Sequence, residues 1–344
     1  MKPSVIPVTV VSGFLGAGKT TLVNHLLNDA DAQRIGVIVN EFGEVGIDGQ
    51  LIVADDEILI EISNGCVCCT VRADLVASVK QMLEKAGEKI DRLIVETSGL
   101  ADPAPVLQTF LADPDLRERV ELESVVTVVD GFHFGQQLGD EIVREQVAFA
   151  DVIVVNKLDL CSPEMLERLE RQVRELNPTA MIARATHSHV AADSLLGMRR
   201  FSLPNLLAIE PDLLDEAAHD HEHDTSIQSC ALVEPGALDP DRFNRWINQL
   251  VQQDGTRLMR MKGVLNFASE ARQFHFHSVH MLLESRPGRR WRDDESRDNK
   301  LVFIGRGLDM PRLREAFLGC LHHDEPCLSS SVTSLAISPQ RSLQ

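Results

Sequence analysis

The run from Thr9 to Thr21, TVVSGFLGAGKTT, constrains the fold more than any other stretch of this chain. Apolar residues end at Val11, the loop Gly13-Phe14-Leu15-Gly16-Ala17-Gly18-Lys19-Thr20 comes next, and Leu22, Val23, Leu26 and Leu27 then share one side of a helix. Strand, glycine loop and helix in that order are the setting in which G-x-x-x-x-G-K-[ST] forms a phosphate cradle. Gly13, Gly16, Ala17, Gly18 and Thr21 would supply backbone N–H groups to phosphate oxygens, aided by the partial positive charge of the helix N-terminus. Lys19 would reach the outer phosphates and the Thr20 hydroxyl would sit on Mg²⁺. The competing explanation is a chance glycine-rich turn, and both flanks argue against it.

Beyond the first helix the chain repeats one theme. Apolar runs at Arg34–Val39, Glu57–Ile62, Arg92–Val95, Val125–Val129, Val152–Val155 and Ala180–Ala183 alternate with helical patterns. Among these, Leu75 to Leu83 and Glu141 to Phe149 are amphipathic, Asp102-Pro103 and Ser162-Pro163 read as helix starts, and Asp239-Pro240 opens a later helix. Strands alternating with helices predict an α/β fold, a mostly parallel sheet covered by helices on both faces. Ligands of such sheets gather beyond the C-terminal strand ends. The polar sequences Asn40–Glu44, Glu96–Gly99 and Asn156–Asp159 all fall there, with the phosphate loop.

The pattern weakens over 187–226, where His219, His221 and His223 alternate with acids. The expected organisation is a nucleotide unit over 1–190, a polar histidine-rich linker over 191–228, a smaller α+β unit over 229–325, and a flexible tail over 326–344. In the second unit, Met259–Ala268, Gln273–Leu283 and Leu301–Ile304 read as strands, Arg286–Lys300 as a polar loop, and Pro311–Phe317 as a short helix.

The 344 residues carry a formal charge of −18, which argues against nucleic acid or an anionic membrane as partner. No stretch reads as a signal peptide or a transmembrane span, so the expected location is cytoplasmic. Three of the seven cysteines crowd into Cys66-Val67-Cys68-Cys69, which points to metal or thiol chemistry and to no disulfide framework.

Asn156-Lys157-Leu158-Asp159 ends its own strand behind a phosphate loop. Guanine offers N1–H and the exocyclic N2 amino group as donors, and a carboxylate in the plane of the base accepts both. Asp159 would therefore select GTP over ATP, with Asn156 holding the loop and the Lys157 stem packing on the ring. Glu96-Thr97-Ser98-Gly99 stands where many GTPases carry their switch. Glu96 would hold a Mg²⁺ water and the Gly99 N–H would meet the γ-phosphate. Leu100 and Ala101 cannot activate water, so Asp130, Glu41 or Glu44 would orient it, and turnover would be slow. The three thiolates suit Zn²⁺, and Co²⁺ or Cu⁺ less well. They leave one coordination position open to Glu41, Glu44, a water or a client ligand. Buried cysteines or a redox pair are the bland alternatives.

With these residues in hand, the chain resembles the CobW family of P-loop GTPases, in particular its zinc metallochaperone branch. The resemblance runs through GFLGAGKTT at 13–21, VNEFGEVGIDG at 39–49, NGCVCCTVRADL at 64–75, ETSGLADP at 96–103, NKLDL at 156–160 and RMKGVLNFA at 260–268. It implies a P-loop fold with a CobW-like C-terminal unit, GTP and Mg²⁺ at Lys19, Thr20 and Glu96, and guanine at Asn156, Lys157 and Asp159. It further implies Zn²⁺ at Cys66, Cys68 and Cys69, passed on hydrolysis to a client metalloprotein. Cobalt or iron cargo stays open, as does a GTPase regulator with a structural or sensing metal. A homodimer is compatible with this P-loop class, and no stretch specifies one. His275, His277 and His280, and the group Cys320, His322, His323 and Cys327, are weighed as metal ligands and left as ordinary residues.

Overall fold

A computed structural model of the chain describes residues 5–29, 34–42, 59–64, 69–86, 90–197 and 227–322. The first 197 residues contribute strands β1 (Ile6–Gly13), β2 (Ile35–Phe42), β3 (Leu59–Asn64), β4 (Arg92–Thr97), β5 (Val120–Asp130), β6 (Val152–Asn156) and β7 (Met181–Arg184). Between them lie helices α1 (Lys19–Asp29), α2 (Cys69–Ala86), α3 (Ala104–Ala112), α4 (Pro114–Arg119), α5 (Phe134–Gln137), α6 (Glu141–Phe149) and α7 (Pro163–Leu176). The strands form one seven-stranded parallel sheet in the order β3-β2-β4-β1-β5-β6-β7. Every residue of β4 and β6 is buried, as strands covered on both faces must be.

Alternation sorts the two faces. Val11, Val37, Val39, Ile94, Val126, Val128, Val152 and Val154 meet α1 and a short segment containing Ala192, Leu195 and Leu196. Val8, Val10, Ile38, Val95, Val125, Ile153 and Val155 meet side chains of α2, α3, α6 and α7 on the other face. Two of the three expected helix starts carry side-chain caps, Ser162 accepting from Met165 N–H and Asp239 from Arg242 N–H; at the third, Pro103 itself is the N-cap of α3 and Asp102, one residue earlier, accepts the Ala104 N–H.

The second unit is an antiparallel sheet in the order β11-β10-β9-β12-β8. It is built from β8 (Ile227–Glu234), β9 (Leu258–Leu265), β10 (Arg272–Val279), β11 (Leu282–Arg290) and β12 (Asn299–Arg306), with helices α8 (Pro240–Asp254) and α9 (Met310–Leu318). One face packs under α8 and α9 through Phe243, Ile247, Phe276, Phe303 and Phe317. The other contributes Val264, Val279, Val302 and Ile304 to the α3/α6/α7 side of the first sheet, so one core spans both units.

Two expectations for this region need correction. The expected single strand over 273–283 is a hairpin that turns at His280, whose φ is +48°. The expected polar loop from Arg286 contains the rest of β11, an edge strand with one flank open to water, where charge, Pro287 and Gly288 are tolerated. β8, at the opposite edge, was not expected from the sequence. The histidine tract at 219–223, His323, Cys327, Glu44, Cys66 and Cys68 lie outside the described residues. No described helix is long and apolar enough to cross a membrane.

Candidate nucleotide site

The C-terminal ends of β1, β4, β5 and β6 converge on one pole of the first sheet. Gly13 turns the chain out of β1 at φ +140°, so close to β5 that a Cβ would lie 2.2 Å from the Val128 carbonyl oxygen. The loop then passes over β6 into α1, and Lys19 bends back to donate to the Phe14 carbonyl oxygen at 3.3 Å. An ammonium resting on a loop carbonyl at that length is readily exchanged to a phosphate oxygen.

Thr20, in the first turn of α1, donates its hydroxyl to Glu96 Oε1 at 2.8 Å. Glu96 is the fifth residue of β4, 4% exposed, and its strand lies directly beside β1. A hydroxyl and a buried carboxylate form an all-oxygen donor pair, which fits the preference of Mg²⁺. The turn after β4 presses against the phosphate loop: a Cβ at Gly99 would come within 2.7 Å of the Leu15 nitrogen. That contact brings Gly99 to the end of the cradle expected to hold the outer phosphates.

At the other end, Asn156 closes β6 and is 3% exposed. Its Nδ2 donates to the Ala17 carbonyl oxygen and to Ser188 Oγ, each at 2.9 Å, and its Oδ1 accepts the Ser188 N–H at 2.7 Å. Ser188 Oγ in turn donates to the Gly18 carbonyl oxygen at 2.9 Å. His187 and Ser188 both have positive φ, at +50° and +57°, a strained pair held in place by these bonds. Sequence reasoning saw the pattern weaken from His187, kept it at the end of the nucleotide unit, and missed Ser188 altogether. The only available signal was its position just past the last strand of the sheet.

Lys157 is also left-handed, at φ +61°, and its ammonium lies 2.8 Å from Asp130 Oδ2. Both oxygens of Asp130 are engaged: Oδ1 accepts from the Phe132 and His133 N–H groups, and Oδ2 also meets His133 Nδ1 at 2.9 Å. Burial pushes its carboxyl up, but the hydrogen bonds from Lys157 and His133 outweigh that and hold it below the usual carboxylate range. Asp130 therefore ties the Lys157 ammonium to the turn after β5. Asp159 stands in the short 3₁₀ turn Leu158–Leu160, and Cys161 beyond it donates its Sγ–H to the Lys157 carbonyl oxygen at 3.3 Å.

Of the candidate zinc ligands, Glu41 and Cys69 are described, by backbone alone. Glu41 is the penultimate residue of β2, in register with Ser63 of β3, and Cys69 is the first residue of α2. The end of β3 thus lies at the pole that holds Glu96, since β2 pairs with β3 as far as Phe42 and Asn64 and with β4 as far as Asn40 and Thr97. Among the described residues no group of three His, Cys, Asp or Glu side chains is arranged to hold a metal ion.

Comparison with known proteins agrees with this geometry. The family description "CobW/HypB/UreG, nucleotide-binding domain" matches residues 7–184, and "Cobalamin synthesis protein cobW C-terminal domain" matches residues 227–321. The chain is 34% identical over 319 residues to the zinc chaperone YjiA of Escherichia coli, covering 91% of this chain and 98% of that one. It is 33% identical over 335 residues to the zinc chaperone CobW of a Sinorhizobium species, covering 87% and 92%. The crystal structure of Zn(II)-bound YjiA GTPase from E. coli superposes with a TM-score of 0.70 at 28% identity, over 93% of this chain and all of that one.

Proposed function

The chain belongs to the CobW/HypB/UreG family of nucleotide-binding proteins, and from that premise we propose that it hydrolyses GTP and uses the cycle to hold and hand over zinc. The observation that carries this reading is the hydrogen bond from Thr20 of α1 to Glu96 of β4, the strand that lies between β1, which feeds the phosphate loop, and β2 and β3, which precede the cysteines. A group that meets the triphosphate is thereby one strand from Glu41 on β2 and two from β3, the strand before the cysteines.

Lys19 exchanges the Phe14 carbonyl for oxygens of the β- and γ-phosphates. Thr20 and Glu96 would hold Mg²⁺, which would supply charge neutralisation at the phosphates when bound. Backbone N–H groups of 13–18 and Gly99 supply the remaining stabilisation, which is electrostatic throughout. With no side chain after Gly99 able to activate water, turnover is slow. Asp159 selects guanine, Lys157 covers the ring, and Asp130 keeps Lys157 in place.

Zinc is cargo in this scheme. Cys66, Cys68 and Cys69 grip it, with Glu41 or Glu44 as a hard, replaceable fourth ligand, and loss of the γ-phosphate loosens the grip for a client apoprotein. The relatives named zinc chaperones support zinc over cobalt. The test titrates Zn²⁺ into the apo protein with GTP, with a nonhydrolysable analogue and with GDP, alongside Cys66→Ala, Cys68→Ala and Cys69→Ala. The expected result is weaker zinc binding with GDP and loss of that difference in each variant. Equal zinc affinity in all three nucleotide states would leave a GTPase with a passive metal.

A further inference from the structure

The sequence offers no glutamine just beyond Gly99, yet the fold brings one to that loop from a different element. Gln146 lies in the middle of α6 and is 1% exposed. Its Nε2 donates to two carbonyl oxygens of the loop after β4, Gly99 at 3.1 Å and Ala101 at 3.2 Å. Its backbone carbonyl oxygen accepts the Thr127 hydroxyl at 2.9 Å, tying this turn of α6 to β5. Within the loop itself, the Ala101 N–H donates to the Ser98 carbonyl at 3.1 Å, and the Leu100 N–H makes a long contact with Ser98 Oγ.

The opposite flank of α6 is held by the second unit. Arg306, at the end of β12, reaches Glu141 at 2.6 Å and Glu145 at 2.8 Å, one turn apart on the helix. Glu145 precedes Gln146, so the residue gripped by the C-terminal sheet adjoins the one that holds the loop. Phe149, in the last turn of α6, packs on the His280 ring from the β10–β11 turn at a centroid distance of 5.4 Å.

We infer that Gln146 is a positioning residue for hydrolysis: it aims the Gly99 N–H at the γ-phosphate, and Arg306 sets its placement through α6. This rests on the GTPase reading above. The amide faces carbonyls, not water, so it donates no proton and leaves chemistry to Lys19, the ion and the backbone. What it controls is where the loop stands, which matters only while a γ-phosphate is present. A shift of the C-terminal sheet against α6 therefore changes turnover without changing the hold on GDP.

The experiment measures single-turnover GTP hydrolysis and GDP affinity in the full chain for wild type, Gln146→Leu, Arg306→Ala and the double variant. Gln146→Leu should slow hydrolysis by about tenfold, the scale expected of lost orientation, with GDP affinity within about twofold of wild type. Arg306→Ala should slow it in the same direction, and the two effects should be less than multiplicative, as for residues acting in series. Arg306→Lys, which keeps the charge, should recover part of the rate. An unchanged rate in Gln146→Leu, or GDP affinity falling as far as the rate, overturns the inference; multiplicative effects overturn the link to Arg306. Should Gln146→Leu fail to fold, Arg306→Ala at the partly exposed end of the relay decides alone: an unchanged rate overturns it. A wild type that does not hydrolyse GTP would sink the GTPase reading itself, and is recognised before any variant is compared.

Discussion

A Cβ added at Gly18 would lie 2.5 Å from Asn156 Nδ2 and 2.7 Å from Ser188 Oγ, at a backbone φ of +108°. The phosphate loop, the end of β6 and the 187–188 turn meet at that one residue, so its side chain is hydrogen for both steric and conformational reasons. Gly18→Ala should cost at least about 1 kcal/mol from the strained φ alone and more from the displaced Asn156, and should lower affinity for GTP and GDP together, measured by fluorescent-nucleotide titration. Asp159→Ala should behave differently, lowering guanine affinity while leaving inosine nucleotides, which lack the N2 donor, less affected. Asp130 carries a pH dependence. Its folded pKa lies below the ordinary 3.8, so it binds fewer protons folded than unfolded. Its contribution is present above the ordinary carboxylate range and is lost as pH falls through the folded value. Asp130→Asn should therefore flatten the acid limb of a denaturation-versus-pH curve.

Elements are held to one another chiefly by apolar surface, with a buried ionic join between the two units. Asp151 stands at the foot of β6, 6% exposed, and accepts from the Val125 N–H through Oδ2. Its Oδ1 takes Arg260 and Lys262 of β9, both buried, at 2.5 and 2.6 Å. Burial alone would raise the Asp151 carboxyl; the two cations reverse that and drive it well below the usual range. Burial lowers Lys262 to about 8, Asp151 pulling it up and Arg260 pushing it further down. Two cations on one anion leave a surplus charge in the join. Asp151→Ala should destabilise the chain by about 3–5 kcal/mol, the cost of stranding a buried charge. Lys262→Met should be near neutral at pH 7, because it leaves Asp151 and Arg260 one to one. With the folded pKa of Lys262 depressed, the unfolded chain binds more protons, so wild-type stability should rise between about 8 and 10.5, and Lys262→Met should abolish that rise. Urea denaturation across pH measures both.

For the whole molecule, the two sheets share one core, and the end of β3 lies at the pole that carries Thr20 and Glu96. Linkage requires that if nucleotide state changes zinc affinity, zinc changes nucleotide affinity by the same factor. Stripping zinc with a chelator should therefore weaken binding of a nonhydrolysable GTP analogue relative to GDP, by the same ratio seen in the zinc titrations; calorimetry on both legs of the cycle checks it.

The helix starts at Ser162-Pro163 and Asp239-Pro240, the buried strands of the first sheet and the cradle around Lys19 were legible because each is written in a few neighbouring residues, where capping, periodicity and turn chemistry act. β11 was not, since this edge strand has one open flank and its sequence is free to be polar; β8 was not, since it begins inside the stretch expected to be linker and its apolar residues do not alternate cleanly. Ser188 and Gln146 escaped because their partners, Asn156 and the Gly99–Ala101 carbonyls, lie 32 and more than 40 positions away. The surplus charge among Asp151, Arg260 and Lys262 escaped for the same reason, across 109 positions. Local order, fold class and the kind of ligand thus came from sequence, whose short-range patterns act within a turn or a strand. Which groups share a proton, a carbonyl or a buried charge was decided only by tertiary packing, because hydrogen bonds and ion pairs depend on distances in space that separation along the chain does not encode.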